Sequence, residues 1–127
     1  MDNEPALPEL VKDDGEHPVP LHWQAIFRQI SDALVQRDFD LCDLQNVALI
    51  DQPTARSIAA NILAYGDDLA PLDPATWERS VYRWMDGYWQ FLVDLTTAGE
   101  KASDLTLHAK LNDGAPPRLE IQSVHVP

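Results

Sequence analysis

Two aromatic segments joined by Asp86 and Gly87 restrict the possible folds more than any other part of the sequence. The stretch reads SVYRWMDGYWQFLVDL over residues 80–95. An Asp-Gly pair favours a two-residue type I′ turn, because both central residues of that turn need positive φ values. A turn of this length also fixes the strand pairing, so the sequence predicts a β-hairpin with its aromatic side chains on one face. The predicted cross-strand pairs are Trp84 with Trp89, Arg83 with Gln90, and Tyr82 with Phe91.

The aromatic face of this hairpin could be a platform for nucleic-acid bases or part of the hydrophobic core. A stacking platform needs exposed rings with basic residues among them. The chain instead has 21 Asp and Glu against 9 Lys and Arg residues, a formal net charge of −12. Such a charge repels phosphates and anionic membranes and speeds encounter with basic partners. We therefore interpret the cluster as core and expect neither nucleic acid nor membrane as a partner.

Two helices are predicted before the hairpin. Residues 21–39 carry apolar side chains at i, i+3, i+4 and i+7, which is typical of a helix with one buried face. Over residues 51–66 the helix signals are at the ends. Asp51 or Gln52 can cap the first turn, Pro53 fits inside it, and Gly66 suits the position just after the last turn.

The last third of the chain changes to a period of two. SDLTLHAKL (103–111) and RLEIQSVHVP (118–127) alternate polar and apolar residues and predict two further strands. The alternation shifts phase near Ser123, which indicates a β-bulge. Because helices come first and strands follow, a parallel βαβ sheet is not expected. The predicted fold class is α+β, with the N-terminal helices packed on one face of a four-stranded antiparallel meander sheet.

The first 20 residues differ in composition from the rest. They contain six acidic residues, one lysine and four prolines. Such a segment buries too little apolar surface to offset the entropy lost on ordering, so we predict a mobile acidic arm at 1–20 and a single domain at 21–127. The start has neither the basic nor the apolar region of a signal peptide, and no apolar run could span a membrane. We expect a cytoplasmic protein.

The sequence offers few residues for catalysis. Cys42 is the single cysteine, so we expect no intrachain disulfide, no multi-cysteine metal site and no cofactor. His108 and His125 fall on strands predicted to be adjacent. Either could join Asp94 or Glu120 in an acid–base cluster on the open sheet face. Histidines on such a face are more often simply solvated, and we assign no catalytic residue.

The polar face of the predicted sheet is a candidate surface for protein contact. An uncovered antiparallel face of mixed character suits such contact, although it can also be a plain solvated surface. The predicted partner-binding residues are Arg83, Tyr88, Gln90, Asp94, His108, Lys110, Glu120 and Gln122.

Four short motifs mark the C-terminal half: W-M-x-G-x-W, L-V-D-L, S-D-L-x-L and a closing V-x-V-P. Together they resemble a family of small, mostly uncharacterised bacterial domains, and the likeness extends over roughly residues 47–127. Its members look like standalone cytoplasmic proteins or immunity-type proteins encoded near polymorphic toxins. The resemblance therefore implies toxin binding as a function. It supplies no catalytic residues.

Charge and resemblance together predict an immunity protein that binds a cognate toxin domain and neutralises it by direct one-to-one occlusion. An acidic protein would associate rapidly, and in a salt-sensitive way, with a toxin that has a basic surface. Two alternatives remain open. One is a small hydrolase-like enzyme that uses histidine and carboxylate groups of the open sheet face. The other is a self-associating accessory domain. The sequence does not indicate an oligomeric state.

Overall fold

The described part of the chain contains two α-helices. The computed structural model describes residues 10–41, 44–114 and 117–127. Helix α1 spans Leu21–Val35 and helix α2 spans Gln52–Tyr65. Both predicted helices are therefore confirmed. Within the described ranges, no helix has the length and apolar character needed to cross a membrane.

Capping residues set both ends of α2. The Asp51 carboxylate accepts a hydrogen bond of 2.8 Å from the backbone N–H of Thr54, which satisfies one of the free donors of the first turn. Gly66 follows the last turn with φ at 84°. A residue without a Cβ adopts that left-handed conformation at little cost. The capping roles predicted for Asp51 and Gly66 are confirmed.

The strands form one main sheet and one small ribbon. Among the described residues they are β1 (His17–Pro18), β2 (Leu69–Ala70), β3 (Val81–Trp84), β4 (Tyr88–Asp94), β5 (Thr96–Thr97), β6 (Thr106–Asn112) and β7 (Leu119–His125). The main sheet is antiparallel in the order β1-β3-β4-β6-β7, and β2 pairs with β5 separately. The fold class α+β is confirmed.

The predicted number of sheet strands is wrong by one. β3, β4, β6 and β7 form the predicted four-stranded meander, and β1 adds a fifth strand at the edge of β3. This strand is only two residues long, so it has no alternating pattern from which it could be predicted. Its pairing partner lies more than sixty residues away in the chain, and local sequence carries no signal for such a contact.

The hairpin and the bulge both occur where the sequence predicts them. Trp84 pairs with Trp89, and the turn residues Asp86 and Gly87 have φ values of 55° and 121°. In the last strand pair the register passes over Gln122, because His108 pairs with Ser123 whereas Ala109 pairs with Ile121. One extra residue in β7 thus reverses the parity of its alternation, as a β-bulge does.

The aromatic side of the hairpin lies in the hydrophobic core. Phe91 is fully buried, and Tyr82 and Trp89 are nearly so. The rings of Trp23 and Phe27, both from α1, have their centroids 5.9 and 5.3 Å from that of Phe91. Aromatic pairs at such distances add to the stability gained by burial. The interpretation of the aromatic cluster as core is confirmed for these residues.

Residues 10–20 of the predicted arm lie against the hairpin. Leu10 is buried, and Nε1 of Trp89 donates a hydrogen bond of 3.0 Å to the carbonyl oxygen of Val11. Residues 1–9 lie outside the described ranges. The mobility of the arm and the proposed domain boundary therefore stay predictions.

Candidate functional site

The side chains on the face of the sheet opposite the core follow the pairing register in rows. The Arg83 row contains Arg83, Gln90, Lys110 and Glu120. The Leu92 row contains Val81, Leu92, His108 and Ser123. The Asp94 row contains Asp94, Thr106 and His125. A row that contains two apolar side chains, Val81 and Leu92, thus lies between two polar rows.

Four of the predicted partner-binding residues line one shallow groove of about 650 Å³ that crosses these rows. These four are Arg83, Gln90, Asp94 and His108. The other lining residues are Glu16, Arg79, Val81, Leu92, Asp104, Thr106, Val126 and Pro127. The groove therefore combines apolar side chains from the Leu92 row with charged groups on both sides.

The other four predicted residues lie outside the groove. The Lys110 Nζ is 4.7 Å from the centre of the Tyr88 ring, a cation–π contact. Glu120 accepts a hydrogen bond of 2.8 Å from Asn112. Gln122 is exposed at the bulge and has no register partner. The structure thus divides the predicted surface into a groove and a separate set of polar contacts.

Asp94 is fixed by two neighbours. Its Oδ2 lies 3.0 Å from Arg79 Nε, and its Oδ1 accepts a hydrogen bond of 2.9 Å from the Thr106 hydroxyl. The carboxylate is only 13% exposed. Arg79 also lies 3.7 Å from Asp104. The sequence did not indicate Arg79, because this residue lies in the turn before β3 and not on a strand.

Arg83 is held by an amide and not by a carboxylate. Its Nε and one terminal nitrogen both donate to the Gln90 side-chain oxygen, at 3.3 and 3.1 Å. Among the ion pairs of the described residues none involves Arg83. A neutral amide therefore orients the guanidinium without neutralising its charge.

The two histidines of the open face stack on each other. The ring centroids of His108 and His125 are 4.3 Å apart, and the ring planes differ by 11°. His125 Nδ1 is 3.0 Å from the Ser123 hydroxyl, whereas His108 Nε2 is buried with no hydrogen-bond partner in the described chain. Burial, and secondarily the nearby His125, lower the pKa of His108 below its ordinary value. The lowered pKa favours the neutral form of the His108 ring.

No histidine–carboxylate cluster, which the sequence left open as an alternative, is formed on this face by the described residues. Among the hydrogen bonds of the described residues, those of Asp94 and Glu120 go to other groups, and the one histidine bond on this face goes to Ser123. The described chain also contains no group of three or more His, Cys, Asp or Glu side chains that could hold a metal ion. Cys42 lies outside the described residues.

Residues 31–127, which include all eight predicted partner-binding residues, match a family described as a domain of unknown function, DUF7668. The chain belongs to the DUF7668 family. No curated protein and no solved structure matches the sequence. The resemblance to a family of uncharacterised domains is thereby confirmed, while nothing in the DUF7668 match connects it with immunity proteins.

Proposed function

We propose that this DUF7668 protein is a protein-binding domain that neutralises a cognate bacterial toxin by direct one-to-one occlusion. The observation that carries the proposal is the groove across the open sheet face. Half-buried apolar side chains from Val81 and Leu92 are flanked there by charged side chains. An apolar centre within a polar rim is the usual composition of a protein interface.

The residue types in and beside the groove also favour protein contact. Arg and Tyr are enriched among the residues that dominate binding energy. Arg83 lines the groove, and Tyr88 lies on the same face, half-buried beneath Lys110. A partner that covers this face would desolvate both side chains.

The overall charge supports a basic partner. At a formal net charge of −12, long-range attraction would steer a protein with a positive surface toward the chain and raise the association rate. A toxin that acts on an anionic substrate has such a surface. Occlusion of its cleft needs no chemistry from the neutralising protein, and a cytoplasmic location is part of the same proposal.

The two alternatives have less support. A hydrolase-like mechanism would need a carboxylate free to assist a histidine, but the Asp94 carboxylate is held by Arg79 and Thr106. Self-association would bring two strongly acidic molecules together, and their mutual repulsion opposes it. Neither alternative gains a specific observation from the geometry.

Affinity capture with two matched variants tests the proposal. The tagged protein is used to capture partners from its native lysate at low salt, alongside Leu92→Asp in the groove and Leu63→Asp on α2. Leu63 is 82% exposed and lies outside the groove. The proposal expects a basic toxin to be captured by the unmodified protein and by Leu63→Asp, and its toxicity to be abolished on binding.

Leu92→Asp should lose this capture while keeping the circular dichroism spectrum of the folded protein. Equal capture by both variants would exclude the sheet face as the binding surface. Failure to capture any protein that is toxic on its own would contradict the proposed function as a whole.

A further inference from the structure

We propose that the groove is a binding site for a carboxylate carried on a short apolar stem, with Arg83 as the anchor of the carboxylate. The inference concerns a small chemical group, and it stands whether or not a protein partner covers the face. It rests on the charge of Arg83, on the apolar side chains beside it and on the acidic rim of the groove.

Arg83 has a charge without a counter-ion in the described chain. Carboxylates contact Arg79 in the same groove and Lys12 elsewhere. Arg83 instead donates two of its five N–H groups to one amide oxygen, which leaves three for a ligand. A guanidinium fork binds a carboxylate through paired hydrogen bonds, and these are stronger than bonds between neutral groups.

Apolar side chains lie next to this anchor. Val81 is two residues before Arg83 on the same strand and therefore on the same face. Leu92 pairs directly with Val81, and His108 pairs with Leu92. A ligand with its carboxylate at Arg83 would place a short apolar stem along the Leu92 row. The buried Nε2 of His108, which has no hydrogen-bond partner among the described residues, lies in that same row.

The rim of the groove selects against more highly charged ligands. Glu16 and Asp104 line the groove and are exposed, and Asp94 lies within it. A dianion such as phosphate would meet these carboxylates as well as Arg83, and like charges at short range repel. A singly charged carboxylate can be neutralised by Arg83 alone, and its apolar stem gains from burial against Leu92.

This chemistry has two natural sources. A small organic acid carries a carboxylate on an apolar stem, and so does the glutamate side chain of a protein. Both present the same group to Arg83, so the experiment uses one probe for each source. Butyrate represents the free acid, and N-acetylglutamate α-amide represents the side chain within a polypeptide.

The test is an NMR titration of the full-length protein at constant ionic strength. The Nε–Hε signal of Arg83 and the methyl signals of Leu92 are followed with each probe, with inorganic phosphate and with chloride. We expect saturable shifts in the millimolar range for at least one carboxylate probe and only weak, linear shifts with phosphate or chloride. Saturation by butyrate alone indicates a free acid, and saturation by the amide alone indicates a protein side chain.

Three variants make the result specific. Arg83→Gln should weaken binding at least tenfold, whereas Arg56→Gln, an exposed arginine on α2, should leave it unchanged. Glu16→Gln should strengthen binding severalfold because it removes a competing carboxylate from the rim. It alters an exposed residue outside the strands, so it keeps the test decisive even if Arg83→Gln does not fold.

Linear shifts with both carboxylate probes would overturn the proposal. Undiminished saturation in a folded Arg83→Gln protein, or unchanged affinity in Glu16→Gln, would overturn it equally. None of these results bears on toxin capture, so this proposal and the proposed function can fail independently.

Discussion

His108 illustrates how a single residue in the open face couples structure to pH. Its ring is stacked on His125, and its Nε2 is buried without a partner in the described chain. Protonation would place a charge in this poorly solvated position, next to a second titratable ring. Burial is the main reason why the pKa of His108 is lower in the folded protein than in the unfolded chain.

We predict that stability falls as the pH is lowered through the range that begins near the ordinary histidine pKa. Below that value the unfolded chain binds a proton at His108 that the folded protein resists, so protonation favours unfolding. The contribution of neutral His108 is fully present above the unfolded pKa and is lost as the pH falls through the folded one. Urea midpoints measured between pH 8 and pH 5 check this expectation.

The matched variant for this measurement is His108→Gln, which keeps a polar side chain of similar length but does not titrate. Its urea midpoint should fall less than that of the unmodified protein over the same pH range. Parallel curves for the two proteins would show that His108 titrates in the folded protein as it does in the unfolded chain.

At the level of elements, the hairpin between β3 and β4 organises both faces of the sheet. Its two-residue turn fixes the register, and the register places Phe91 in the core and Arg83 in the groove. The two-residue turn therefore determines which hairpin side chains enter the core and which line the groove. Any change that disturbs the turn should affect the core and the groove together.

Gly87→Ala is the direct test of this element. Gly87 has a φ of 121°, a conformation that residues with a Cβ rarely adopt, and nothing lies within 4 Å of a Cβ built there. The expected loss of stability, about 1–2 kcal/mol, comes from backbone strain alone. A urea midpoint equal to that of the unmodified protein would mean that the turn relaxes without cost.

The elements also show how far sequence could predict this fold. The hairpin, the two helices and the bulge each depend on signals within a few residues, such as Asp86-Gly87 or the capping pair of Asp51 and Gly66. The two-residue strands β1, β2 and β5 depend on pairing with distant residues, which leaves no local pattern. They were missed for that reason.

The candidate site likewise has features that strand alternation predicts and features that depend on contacts outside the strands. The alternation of β4 and β6 placed Gln90, Asp94 and His108 on one face, as the groove confirms. The pairing of Asp94 with Arg79 was not predicted, because Arg79 comes from the loop before β3 rather than from a strand. The predicted register did place the Gln90 amide beside Arg83, whereas the two hydrogen bonds between these side chains were not predicted.

At the scale of the whole molecule, the dominant property is the formal net charge of −12. Folding brings these charges closer together, and their repulsion opposes the compact state. Dissolved salt screens charges separated by more than about 10 Å at 0.1 M ionic strength. The same charge that would attract a basic partner therefore lowers the stability of the folded protein when it is alone.

We predict that the isolated protein becomes more stable as sodium chloride is raised from about 10 mM to 0.3 M, where the screening length is several times shorter. The urea midpoint should increase over that range, while binding to a basic partner should weaken. A midpoint that falls with salt would show that favourable ion pairs, such as that of Arg79 with Asp94, outweigh the overall repulsion.

Titration of the captured toxin with the protein distinguishes neutralisation by occlusion from neutralisation by an enzyme. Toxin activity should decrease linearly and reach zero at one molecule of protein per molecule of toxin, and Leu92→Asp should have no effect at the same ratio. Loss of toxin activity at far lower ratios would contradict occlusion and indicate an enzyme. Full toxin activity at a large excess of protein would contradict neutralisation altogether.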